Sequence, residues 1–142
     1  MVRIVQLSPD FAVAPQLSAE DIPELAARGF KSIIANRPDG EQAGQLTSDE
    51  AAQLAKDSGL QFRHLPLVMP IVLEEATSDA TQALIDTLPK PILAYCRSGT
   101  RSAMAWAGAV SRTLPVDEVV GRLQAGGYEA AGLADALKER NG

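Results

Sequence analysis

Cysteine, histidine and tryptophan each occur once in this 142-residue sequence, and aromatic residues make up only 4% of it. A single cysteine, Cys96, excludes an intrachain disulfide and also a resolving thiol. Any covalent adduct on it must be discharged by an outside molecule. A single histidine, His64, has no cysteine or acidic motif at ligand spacing beside it, so no metal or cofactor is expected. Basic residues are the minority: 13 Lys and Arg stand against 18 Asp and Glu, for a formal net charge of -5. That balance argues against a nucleic-acid or anionic-membrane binder, while leaving room for a small local anion site. No apolar run approaches the roughly 18 residues of a membrane-spanning helix. The start, MVRIVQLSPDF, lacks the apolar stretch of a secretory signal, so a cytoplasmic location is expected. Walker-type and dinucleotide-binding glycine loops are lacking too.

What is present is ordinary globular composition, 46% hydrophobic and 22% charged. The length suits one domain over 1–142. Arg3–Leu7 and Phe11–Ala14 are short and β-prone, as in an edge hairpin. Ser18 reads as the N-cap of a helix that Gly29 ends. Lys31–Ala35 is a buried strand, and Asn36–Leu46 a polar loop in which Pro38-Asp39-Gly40 makes a turn on its own. Thr47 and Glu50 form a capping box for a helix that stops at Gly59. Leu60–Leu67 reads as a strand and Val68–Glu75 as a loop. Thr77–Leu88 is helical, with Thr77 or Ser78 as cap. Ile92–Tyr95 is a buried strand, Thr100–Thr113 a helix, Pro115–Gln124 another, and Tyr128–Arg140 the last, after a Gly126-Gly127 turn. Strands alternating with helices predict an α/β fold with a mostly parallel central sheet. Ligands of such sheets sit at the carboxyl ends of the strands.

Cys96 lies at such an end, in PILAYCRSGTRS. The loop is too short to wander. Gly99 permits a positive φ. Successive amides of Arg97, Ser98, Gly99 and Thr100 can turn inward as an anion nest, and the following helix adds its free N–H groups. Arg101 supplies a planar fork of donors. Together these predict a thiolate nucleophile beside an oxyanion cradle. The competing reading is a small core cysteine ending a strand; the agreement of so many local features argues against it. Asn36, Arg37 and Asp39 follow another strand's carboxyl end and are candidates to line the same site, as is His64. Tyr95 and Trp106 read as core residues, and Val68 and Met69 as an apolar rim.

Cys-x-x-x-x-Arg-Ser leading into a helix is similar to the rhodanese loop, and to a shortened tyrosine-phosphatase loop. The Asp-x-Arg and Gly-His-Ile-x-Gly-Ala patterns of rhodaneses are missing. Instead IIANRPDGEQ, TSDEAAQLAKDSGLQFRHLPL and LAYCRSGTRSAMAW resemble a bacterial family, the phosphatase-like domain of beta-lactamase-hydrolase-like proteins. The resemblance covers almost the whole chain and is most specific at NRPDGE and YCRSGTRS. It implies a dual-specificity-phosphatase-like fold. It also implies roles for Arg101 in anion binding and for Ser102 in releasing the thiolate. Members occur alone or fused to persulfide-dioxygenase-like domains.

Two chemistries fit. A phosphatase needs a thiolate, a cradle and an acid for the leaving oxygen. The stretch His64–Ile71, where such an acid is expected, has no carboxylate, and Asp39 is the best substitute. Sulfur transfer from thiosulfate or a persulfide to a thiol such as glutathione needs no acid, and the short loop and missing carboxylate favour it. The expected partner is therefore a small anionic sulfur donor, with a phosphorylated substrate as the alternative. A third possibility is a non-enzymatic sensor of reactive sulfur or anions.

Overall fold

A computed structural model describes residues 2–142. The elements run β1 (Val5–Ser8), β2 (Phe11–Ala14), α1 (Asp21–Ala27), β3 (Ser32–Ala35), α2 (Ser48–Asp57), β4 (Gln61–His64), a 3-10 turn (Ile71–Leu73), α3 (Glu75–Thr87), β5 (Ile92–Tyr95), α4 (Thr100–Val110), α5 (Val116–Ala125) and α6 (Ala131–Asn141). The sheet order is β1-β2-β5-β3-β4. β1 and β2 form the antiparallel edge hairpin, and every other pairing is parallel. The expected α/β architecture is therefore present, with β5 at the centre.

Side-chain alternation sorts the core into two layers. Phe11, Val13, Ile34, Ile92 and Ala94 face the layer that includes Trp106, Val119, Leu123 and Leu137 from α4, α5 and α6. Ala12, Ala14, Ile33, Ala35, Leu93 and Tyr95 face Ile22 and Leu25 of α1 and Ala51 and Ala55 of α2. A strand buried on both faces must be apolar at every position, and β5 meets that condition with all four residues buried. Trp106 is buried and stacks on Phe11 with ring centroids 6.5 Å apart, as its core assignment required. No helix among the described residues is long and apolar enough to cross a membrane.

Several local expectations are corrected. The side chain of Ser18 caps nothing. α1 starts at Asp21, whose carboxylate instead accepts the Ser18 N–H at 2.9 Å. The strand expected over Leu60–Leu67 is limited to Gln61–His64, the residues in register with β3, although the Leu65 and Leu67 N–H groups still donate to the Ala35 and Asn36 carbonyls at 2.9 Å. The loop expected over Val68–Glu75 contains the 3-10 turn, and α3 begins at Glu75. Thr77 and Ser78 thus lie inside α3, where Thr77 Oγ1 donates to the Ile71 carbonyl at 2.7 Å and Ser78 Oγ accepts from Arg140 at 2.8 Å. The last helix begins at Ala131 rather than Tyr128. The Thr47–Glu50 capping box forms as expected.

Candidate active site

β5 ends at Tyr95, and the chain passes through Cys96 into α4. Neighbouring strands tie this junction down on both sides. The Cys96 N–H donates to the Ala14 carbonyl at 3.4 Å, the Gln16 N–H to the Arg97 carbonyl at 3.2 Å, and the Asn36 N–H to the Tyr95 carbonyl at 2.8 Å. The carboxyl ends of β2, β5 and β3 therefore converge on Cys96. Its side chain is fully buried.

Gly99 closes the loop with φ of 92° as the residue preceding α4. Its N–H donates to Cys96 Sγ at 3.1 Å. The first bond of α4 runs from the Ala103 N–H to the Gly99 carbonyl at 2.9 Å. The amides of Thr100, Arg101 and Ser102 consequently have no partner within the helix and add positive potential at its start. Arg97, Ser98 and Thr100 are exposed, as expected of a nest that turns amides in and side chains out. Ser98 Oγ donates to Thr100 Oγ1 at 3.0 Å.

Arg101 reaches over this cradle in a fixed pose. Its Nη1 and Nη2 each lie 2.8 Å from an oxygen of Glu41, and Nη1 also donates to the Leu67 carbonyl at 2.9 Å. A guanidinium has five N–H donors. Three are used here, leaving Nε and one Nη2 hydrogen for an anion. Glu41 raises the basicity of Arg101 most, with a smaller contribution from the nearby Cys96 sulfur. The Arg101 and Arg37 guanidiniums in turn hold the Glu41 carboxyl down at about 2.

Glu41 is the residue that sequence reasoning missed. It sits within the NRPDGEQ stretch, four residues after Arg37, and its Oε1 accepts from Arg37 Nε at 2.8 Å. That i,i+4 spacing in a loop carried no helical signal, and the partner Arg101 lies 60 residues away.

Asn36 and Ser102 form a buried pair below the loop. Asn36 Nδ2 donates to the Leu65 carbonyl at 2.9 Å, which turns Oδ1 toward the Ser102 hydroxyl, 2.8 Å away. A hydroxyl has one proton, and here Ser102 gives it to Asn36 rather than to the sulfur. Arg37 is buried beside the loop. His64 is exposed at the end of β4, where Nε2 donates to the Arg37 carbonyl at 3.0 Å. It braces the Asn36–Leu46 loop. Asp39 accepts from the Ser48 N–H at 2.7 Å and from the Ser48 hydroxyl at 2.6 Å. These two bonds lower its pKa, so Asp39 steadies the start of α2 as a carboxylate, a form that has no proton to give.

Tyr128 is a second unforeseen neighbour. A Cβ placed on Gly99 would lie 2.5 Å from the Tyr128 hydroxyl oxygen. Burial first, and the Cys96 sulfur second, raise the Tyr128 pKa, so the phenol is neutral at physiological pH. Val68 and Met69, 47% and 55% exposed, form the apolar rim next to Leu67.

Comparison with known proteins shows the family and the fold. Residues 3–114 match the family described as beta-lactamase hydrolase-like protein, phosphatase-like domain. A beta-lactamase hydrolase-like protein of Xylella fastidiosa (strain 9a5c) is 34% identical over 134 residues, covering 94% of this chain and 29% of the relative. The chain thus spans less than a third of the curated relatives it matches. A candidate phosphatase from Neisseria meningitidis Z2491 superposes with a TM-score of 0.85 at 31% identity, covering 96% of both chains. Tk-PTP in its active form shares the fold, with a TM-score of 0.70 at 16% identity over 97% of this chain and 95% of that one. The chain belongs to the family of phosphatase-like domains found in beta-lactamase hydrolase-like proteins.

Proposed function

We propose that this chain is a cysteine-dependent phosphatase acting through a phosphocysteine at Cys96. The observation that carries the reading is the junction of β5 and α4. There a buried sulfur accepts the Gly99 N–H at 3.1 Å, and the nearby Arg101 guanidinium keeps two hydrogens that Glu41 and Leu67 do not take. In the first step the Cys96 thiolate attacks phosphorus. An S–P bond forms, the P–O ester bond breaks, and the leaving oxygen departs with the electron pair. The Arg101 and Ser102 amides at the start of α4 and the two unpaired guanidinium hydrogens of Arg101 stabilise charge on the non-bridging oxygens. Water then attacks phosphorus, the S–P bond breaks, and phosphate and the thiolate are released, with a proton passing to solvent. Asp39 and Glu41, the carboxylates of the loop beside Cys96, are both ionised and engaged. The leaving group therefore takes its proton from water, which favours substrates whose leaving group is already a stable anion, such as an aryl oxide.

The same engaged carboxylates support a second reading, sulfur transfer. Cys96 would attack the outer sulfur of thiosulfate, the S–S bond to the sulfonate would break, and sulfite would leave with the electron pair. A thiol such as glutathione would then take the outer sulfur as its persulfide and restore the Cys96 thiolate. No step needs an acid.

Intact-mass measurement separates the two, with Cys96→Ser as control. Phosphate release from an aryl phosphate, with a Cys96-dependent phosphoryl adduct on rapid quenching, is the expected result. Gain of one sulfur from thiosulfate, discharged by glutathione, with no phosphate release, would replace the phosphatase by the transferase. A sulfur adduct that glutathione cannot discharge would mark a sensor.

A further inference from the structure

A cavity of about 680 Å³ opens beside the Cys96 loop, between the segment after β2 and the loop from β3 to α2. Its lining includes Gln16, Arg37, Gln42, Gln45, Glu50 and Arg97. The volume lies within the range of small-molecule sites, about 300–1,000 Å³. Arg97 directly follows Cys96, so their Cα atoms are about 3.8 Å apart.

Arg37 is the unusual group. Its side chain is 3% exposed. Nε is bound to Glu41, and Nη1 donates to Gln16 Oε1 at 3.2 Å, but Nη2 has no hydrogen-bond partner among the described residues. A buried guanidinium nitrogen without an acceptor is costly and calls for a reason. Gln45 repeats the pattern: its Nε2 donates to the Pro38 carbonyl at 3.0 Å, while its buried Oε1 has no donor. Here the charge balance is also locally reversed. In a chain of net charge -5, two guanidiniums (Arg37 and Arg97) line the cavity against one carboxylate, Glu50. Glu41 is taken by Arg37 and Arg101. Glu50 Oε1 accepts from the Thr47 N–H and hydroxyl at 3.1 and 3.0 Å.

We propose that this cavity is a second oxyanion subsite, and that the substrate is a small molecule carrying a phosphate or carboxylate besides the group that reacts at Cys96. The proposal rests on the reading of the Cys96 loop as an anion cradle, which both chemistries above share. Arg37 Nη2 and the Arg97 guanidinium donate to the second anion, and Gln45 Oε1 accepts from a hydroxyl of the ligand. A substrate with one anionic group fills the cradle alone.

The test is calorimetric binding to the full chain with Cys96→Ser, which removes turnover. The probes are inorganic phosphate, α,ω-alkanediol bisphosphates of two to six carbons, and ω-phosphoalkanoates of similar reach. At least one bis-anion is expected to bind about tenfold or more tighter than phosphate, as charge-assisted hydrogen bonds to a second oxyanion imply. The series that shows the gain names the second group as phosphate or carboxylate. In Arg97→Ala and in Gln42→Glu, which places a negative charge in the cavity, the ratio of the two affinities falls toward one. Phosphate binding with no bis-anion advantage overturns the subsite and leaves the cradle standing. Failure of phosphate and every bis-anion to bind overturns the cradle, and the subsite with it. A bis-anion gain that survives both substitutions also overturns the proposal.

Discussion

Arg101 and Glu41 meet fork to fork, with each terminal guanidinium nitrogen 2.8 Å from a carboxylate oxygen. The arginine is thereby held before any substrate arrives. A positioned donor avoids the cost of ordering a long side chain during the reaction. Glu41→Gln keeps the shape but removes the charge. We expect kcat/KM to fall about 10- to 100-fold, since small misplacements of a catalytic group cost that much. Steady-state kinetics on an aryl phosphate, beside a circular dichroism spectrum matching the parent, would check it. An unchanged kcat/KM would mean that the Leu67 carbonyl alone orients Arg101.

The same pair sets a pH dependence. The Glu41 carboxyl lies at about 2 in the fold, against an ordinary value of 4.5. A depressed carboxyl contributes stability that is fully present above its unfolded value and is lost as pH falls through its folded value. The difference in unfolding midpoint between parent and Glu41→Gln should therefore be flat from pH 8 to about 5. It should shrink between pH 4.5 and 2. A difference that shrank between pH 7 and 5 would contradict the assigned ionisation.

Gly99→Ala tests the closure of the loop. Two costs add: φ of 92° is unfavourable for a residue with a Cβ, and that Cβ would sit 2.5 Å from the Tyr128 hydroxyl oxygen. The backbone cost alone is about 1 kcal/mol. The variant should unfold at lower denaturant and lose most turnover. Adding Tyr128→Ala should recover the steric part and leave the backbone part. Urea melts of the four proteins of the double-mutant cycle measure the split. Purely additive losses would show that Tyr128 gives way freely.

Asn36→Ala removes the acceptor of the buried Ser102 hydroxyl and the donor to the Leu65 carbonyl. Leaving a buried polar group unpaired costs about 1–3 kcal/mol. Thermal unfolding should report a loss in that range, together with reduced turnover as the loop loosens. Full stability would mean that Ser102 finds another partner.

Asp39→Asn should behave differently. Asp39 is engaged by Ser48 at the start of α2 rather than aimed at the cradle. A loss of about 1 kcal/mol, in line with other helix N-terminal contacts, and kcat/KM within a few-fold of the parent are expected. A large, pH-dependent fall in phosphate-ester hydrolysis, with sulfur transfer spared, would restore Asp39 as the acid.

Much of this could be read from local pattern. The apolar run Ile92–Tyr95, the cysteine at its end, a glycine three residues on and the helix after it are consecutive in the chain. Strand, nest and helix start follow from steric and hydrogen-bonding rules that act over a few residues. The capping box of Thr47 and Glu50 is local in the same sense. What local pattern could not supply is the company each loop keeps. The order β2-β5-β3 brings three carboxyl ends together. That convergence, rather than any motif, puts Glu41 on Arg101, buries Arg37 with a nitrogen unpaired, and fastens Ser102 to Asn36. Tyr128 reaches Gly99 only because α5 turns back toward the loop before α6 begins. Such contacts depend on hydrogen bonds and packing between side chains far apart in sequence. The amino-acid order therefore determined the strand end, turn and helix start around Cys96, while tertiary structure alone decided how Arg101 is held and what lies beside it.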